Sequence, residues 1–227
     1  MKTPNKINLK NLTGFLLLLF CLLWSSINLN AQSGNVLDFD GVDDYVTLGD
    51  FTLDSSAFTI EFWVKPSSIG AQMCLISNKN NLSPSEQGFA ITLDGQGKIN
   101  AQFGMSGSAM PHYIFSKSML SSGLWYHVAF VRSGNNHLKL YINKNLDTDT
   151  TLYDYANNIN NASGVKIGSI ASTSFFMGQM DELRVWNLEL TKTQIYDSLC
   201  NTLTPAFSNN LKTYYNFNKS LLRDERI

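Results

Sequence analysis

Between Leu37 and Leu48 the chain reads Leu-Asp-Phe-Asp-Gly-Val-Asp-Asp-Tyr-Val-Thr-Leu, which sets the carboxylates of Asp40, Asp43 and Asp44 within five residues. Charges this crowded repel one another unless water or a cation relieves them. A hard cation such as calcium takes six to eight oxygen ligands from carboxylates, carbonyls and water. Asp43 and Asp44 are adjacent, so in an extended segment their side chains diverge and one of them faces a given ion. Gly41 permits the sharper bend that would change this, and Asp40 is placed to close the same loop. Asp43 and Asp44 also fit a purely structural part, accepting from backbone N–H groups to cap the turn. A second acidic pair, Asp181-Glu182, opens the penultimate strand, where either residue can pair with Arg184. Asp147, Asp149 and Asp154 read as a solvated loop, because they lack the glycine and terminal glutamate of an EF-hand.

Catalytic patterns are absent. His112, His127 and His137 are scattered, and His127, between Tyr126 and Val128, reads as a packed strand residue. There is no Gly-x-Ser-x-Gly elbow and no cysteine locally paired with a histidine. Recognition chemistry is better represented. Sugars stack their C–H faces on aromatic rings while polar groups fix the hydroxyls. Phe39, Phe58, Phe62, Phe103 and Phe130 fall on inward phases. Trp63 falls on the opposite phase to Phe62, where it lines a sheet surface or lies beneath a loop or helix. Gly104–Ser118 reads as a long loop, and His112 and Tyr113 within it are candidate ligand contacts.

Short strands must position these groups. Phe58, Ile60, Phe62 and Val64 alternate with Thr59, Glu61, Trp63 and Lys65, the period of a half-buried strand. Phe89–Leu93 and Ile99–Phe103 alternate likewise around the turn Asp94-Gly-Gln-Gly97. Trp125–Val131 is apolar on both faces and reads as central. His137–Ile142, Val165–Ile167, Glu182–Trp186 and Leu211–Phe217 complete the set. One helix is expected from Thr191-Lys-Thr-Gln194, a capping box, with Ile195, Leu199 and Leu203 at helical spacing before Pro205. The pattern predicts one all-β antiparallel sandwich with a short C-terminal helix.

The first 31 residues read differently. Lys2, Lys6 and Lys10 precede the apolar run Phe15–Trp24, and Ser25–Ala31 ends in a small residue. This is the layout of a secretory signal peptide cleaved after Ala31. It leaves a domain over residues 32–220, a charged tail over 221–227 and no membrane span. The whole chain has a formal net charge of −1, and losing three lysines makes it more acidic. That disfavours nucleic acid or an anionic membrane as partner. Export permits a disulfide between Cys74 and Cys200, the alternative being two buried thiols.

Three stretches carry a family resemblance: Leu37–Leu48, Gly123–Leu146 (GLWYHVAFVRSGNNHLKLYINKNL) and Gly178–Ile195 (GQMDELRVWNLELTKTQI). In this order they resemble the laminin-G-like domains of the concanavalin-A-like jelly-roll superfamily, common in secreted bacterial proteins. The resemblance implies an antiparallel jelly-roll β-sandwich whose opening loop lies near the Asp-Glu pair. Some members hold a structural calcium ion there. Carried onto this chain, that makes Asp43 and Asp181 side-chain ligands, assisted by Asp40 or Asp44. The hydrolases of this broad fold use Glu-x-Asp-x-x-Glu, which this chain lacks. It also departs where the family hairpin has Asn-Gly: here Asn143-Lys144-Asn145 leaves the turn type open. The resulting expectation is a non-catalytic module for carbohydrate or glycoconjugate, outside the cytoplasm: extracellular, at the cell surface or periplasmic. A protein–protein adhesion module is the first rival. A glycoside hydrolase or polysaccharide lyase with an unrecognised site is the second.

Overall fold

The alternating stretches become strands because each presents one apolar row to a shared core. The computed structural model describes residues 35–48, 53, 57–83, 85–104, 112–133, 137–151, 159, 164–170, 173–200 and 210–217; the expected leader and tail lie outside them. The strands are β1 (Leu37–Asp40), β2 (Val46–Leu48), β3 (Phe58–Pro66), β4 (Met73–Ser77), β5 (Gly88–Leu93), β6 (Lys98–Gly104) and β7 (His112–Met119). They continue as β8 (Tyr126–Ser133), β9 (His137–Ile142), β10 (Asn145–Thr151), β11 (Val165–Ile167), β12 (Met177–Trp186) and β13 (Leu211–Tyr215), with helix α1 (Lys192–Cys200) before the last strand.

Two antiparallel sheets result. The first runs β1-β12-β3-β8-β9-β10, with β13 also on β12; the second runs β2-β11-β4-β5-β6-β7. Successive strands often change sheet, as a jelly-roll requires. The space between the sheets is filled by Phe39, Phe58, Phe62, Phe103, Phe130 and their aliphatic neighbours. Phe103 stacks on Phe130 with ring centroids 5.1 Å apart. Burying such a ring contributes about 1.5–3 kcal/mol.

Helix α1 closes the outer face of the first sheet, where Ile195 and Leu190 pack on Ala129, Val131, Tyr141 and Trp186. Its capping box forms as read: Gln194 N donates to Thr191 Oγ1 and Thr191 N donates to Gln194 Oε1. Between β9 and β10, Asn143 and Lys144 both take positive φ, 48° and 65°. Two consecutive left-handed residues are the signature of a type I′ hairpin, which resolves the turn type.

Three expectations need correction. Cys74 is a free, buried thiol, so its bridge to Cys200 is not formed. Cys74 packs with Ala90 and Ile170 on the second sheet, whereas the helix carrying Cys200 packs on the first, and a sandwich is about 10 Å thick. Desolvation pushes the Cys74 thiol's pKa well up. Residues 112–118 are not loop but most of β7, an edge strand. Asp147 and Asp149 belong to β10. Asp147 accepts from Lys117 N at 2.6 Å and Ser118 N at 3.0 Å, blunting the edge of β7. Burial opposes its charge, but these N–H groups and nearby hydroxyls hold its carboxyl below the usual range.

Candidate functional site

The acidic turn forms as the spacing suggested. Carboxylate oxygens of Asp40, Asp43 and Asp44 lie within 4.8 Å of one another, all exposed. Gly41 makes this possible at φ +82°, where a side chain would meet Met177 Cβ at 2.9 Å. Part of the turn is self-capped, because Asp44 Oδ2 accepts from Asp40 N and Asp40 Oδ1 from Val42 N. The capping reading thus holds for Asp44, and Asp40 caps as well. A pocket of about 370 Å³ opens beside the turn, lined by Gly41, Ser68, Gln72, Ser174, Phe175 and Met177.

Asp181 is not part of this group. Asp40 pairs with Met177 and Leu37 with Met180, so Asp181 lies past the far end of β1. Four residues of strand put it about 13 Å along β12 from the turn. Asp181 instead stands beside Trp63, only 1 % exposed, its Oδ1 accepting from Glu182 N at 2.8 Å. Desolvation pushes its carboxyl up to about 6. Glu182, at φ +54°, is the extra residue of a β-bulge against β3.

Asp181 belongs to a buried polar group on the outer face of the first sheet, which sequence reasoning missed. Glu61 accepts from Trp186 Nε1 at 3.1 Å and from Ser198 Oγ at 2.9 Å. His127 Nε2 lies 3.5 Å from Glu61. Glu182 pairs with Arg184, one of the arrangements anticipated, and accepts from Tyr214 OH at 2.7 Å. Trp63 is 7 % exposed and meets His127 edge-on at 5.5 Å, so it is covered rather than offered to a ligand. Glu61 sits on the polar phase of its strand, and the sequence pattern alone does not say that α1 covers that phase.

On the outer face of the second sheet β7 presents Phe115, whereas β6 is covered, Gln102 Nε2 donating to Leu82 O at 2.8 Å. Tyr113 is half-buried and its ring lies 5.7 Å from that of Phe115, which is 50 % exposed. Nothing is described of the His112 side chain. Tyr113 pairs with Gln102 and Phe115 with Asn100, both directed away from the core that holds Ala101 and Phe103 but themselves buried. Phe115 was missed because it was assigned to a loop; the alternation Tyr113, Phe115 against Ile114, Ser116 was the available cue.

The family model described as the concanavalin A-like lectin/glucanases superfamily, of laminin G type, matches residues 40–196. No curated protein matches the chain. Among solved structures, a protein from Bacteroides ovatus proposed to bind carbohydrate superposes with a TM-score of 0.62 at 19% identity, covering 82% of this chain and 51% of its own. This chain thus spans about half of that protein. The heptameric SAP-like pentraxin of Limulus polyphemus gives 0.56 at 19% identity, covering 80% of this chain and 91% of its own. The CBM40 module of a Ruminococcus gnavus IT-sialidase, bound to α2,3-sialyllactose, gives 0.58 at 15% identity, covering 74% of this chain and 97% of its own. Likeness at these identities concerns the fold.

Proposed function

Since the chain belongs to the concanavalin A-like lectin/glucanases superfamily, we propose that it is an exported, non-catalytic module that binds carbohydrate. The observation that carries this reading is the Tyr113–Phe115 pair, two neighbouring rings on the edge strand β7, with Phe115 exposed and Tyr113 half-buried. Such a pair offers a stacking platform for a sugar ring. The carbohydrate-binding modules among its structural neighbours support the same ligand class. The buried carboxylates favour binding over hydrolysis. Glu61 and Glu182 are engaged by Trp186, Ser198, Tyr214 and Arg184, and Asp181 is sealed beside them, so none faces a cleft.

The donor set of the acidic turn, carboxylate oxygens on a tight bend, fits a hard cation. Asp40, Asp43 and Asp44 would hold calcium, which would offset most of the turn's negative charge and fix the link between β1 and β2. No chemistry on the ligand is asked of it.

A glycan array tests the proposal. The protein should bind saccharides, and Phe115→Ala should lose that binding at least tenfold while melting within about 2 °C of the parent, as expected for an exposed side chain. Calorimetric melts with calcium and with chelator test the ion, because a ligand of the native state raises the midpoint. An unchanged midpoint removes calcium from the reading. Undiminished glycan binding by Phe115→Ala removes the platform.

A further inference from the structure

The pocket beside the acidic turn is built from groups that the fold itself leaves idle. Phe175 and Phe176 are neighbours with opposite fates. Phe176 is fully buried and meets Phe39 edge-on at 5.8 Å. Phe175 is half-buried, belongs to none of the hydrophobic clusters of the described residues, and lines the pocket together with the exposed Met177. The residue before it, Ser174, holds φ +53°, a left-handed conformation that a serine adopts only at a cost. The polar lining is unengaged as well: among the described residues, the side chains of Ser68, Gln72 and Ser174 make no hydrogen bond. The walls are nevertheless fixed. Ser67 N donates to Met177 O at 3.0 Å and Cys74 N to Ser174 O at 2.7 Å, so both ends of the β3–β4 link are tied to residues 174–177.

We propose that this pocket is a second sugar subsite, which takes one uncharged pyranose ring with its apolar face against Phe175 and Met177 and its hydroxyls on Ser68, Gln72 and Ser174. This rests on the carbohydrate reading above for the ligand class and adds a place that shares no residue with β7. Strands β4 and β7 are three steps apart in the second sheet, about 14 Å. The pocket's volume of about 370 Å³ lies at the lower end of small-ligand sites, roughly 300–1,000 Å³. No charged side chain lines it. An anionic sugar would therefore give up hydration there without a cation in return, and the exposed carboxylates of the turn that follows Gly41 would repel it. Because backbone hydrogen bonds hold the walls before any ligand arrives, little ordering is needed on binding.

Amide-resolved NMR titration of the purified protein provides the test, with methyl glycosides of glucose, galactose, mannose and N-acetylglucosamine as neutral probes and methyl glucuronide as the charged one. At least one neutral probe should shift the amide signals of residues 68–72 and 174–177 with a common dissociation constant, and methyl glucuronide should bind there more weakly. Phe175→Ala should raise that constant roughly tenfold. Ser174→Gly should raise it as well while melting no lower than the parent, since glycine accepts φ +53° without strain; its intact fold separates a lost contact from lost structure. Phe115→Ala should leave the constant unchanged. Pocket signals that no neutral probe moves, that move equally in the Phe175→Ala and Ser174→Gly variants, or that respond as strongly to methyl glucuronide would overturn the assignment. Shifts confined to β7 and abolished by Phe115→Ala would also overturn it and leave the platform reading standing. No shift at either place would count against both.

Discussion

Asp181 shows how far a residue's identity and its surroundings can diverge. Family resemblance makes it a calcium ligand; the β-bulge and the Trp63 side chain make it a carboxyl group out of water. Burial lifts its carboxyl from 3.8 to about 6. Between those values the folded chain keeps a proton that the unfolded chain has released. Asp181 therefore favours the fold at low pH, and this contribution disappears as pH rises through about 6. A shift of about 2 units corresponds to roughly 3 kcal/mol. Asp181→Asn keeps the acceptor for Glu182 N without the charge. It should be more stable than the parent above pH 7 by up to about 3 kcal/mol, and the gap should narrow toward pH 4. Paired denaturant titrations across this range give the measurement; a variant less stable at every pH would mean that the carboxylate has a favourable partner. The acidic turn was legible because Asp40, Gly41, Asp43 and Asp44 are neighbours in sequence. Asp181 was not, since its distance from them depends on strand register.

Strands were legible where apolar and polar residues alternate, even where, as in β3, both faces turn out buried. Phe58–Lys65 and His137–Ile142 alternate and fold as read. The edge strand β7 escaped detection because its residues 116–118 bulge against β6 and replace alternation with Ser-Lys-Ser. The hairpin between β9 and β10 shows the opposite case, in which geometry is satisfied by an unfavourable residue. Lys144 at φ 65° carries a left-handed penalty of about 1 kcal/mol or more, partly offset by its ammonium lying 4.7 Å from the centroid of the Tyr196 ring. Lys144→Gly should raise stability by about 0.5 kcal/mol, observed as a small increase in the urea midpoint with unchanged slope. A lower midpoint would mean that the Tyr196 contact outweighs the backbone strain.

At the scale of the molecule, two latches fasten the C-terminal part of the chain to the first sheet. Glu61 receives Ser198 of α1, and Glu182 receives Tyr214 of β13. Such long-range pairings are invisible to periodicity, which assigns Glu61 to solvent. Glu61→Ala would strip acceptors from Trp186 and Ser198 and leave Arg184 and His127 short of negative charge. Breaking a buried polar network of this kind costs about 3 kcal/mol or more. Loss of stability should come with altered tryptophan fluorescence, since Trp186 would lose its acceptor; loss of less than about 1 kcal/mol would show the network to be dispensable. One further property follows from β12. Its edge is shared end to end, Leu37 of β1 opposite Met180 and Tyr215 of β13 opposite Leu183, so the folded body's two leads emerge at one corner, about 10 Å apart. A short tether could join them and let the chain be reopened at the Asp94–Gly97 hairpin. The same corner would let the whole body be spliced into a surface loop of an unrelated host without prising that host apart.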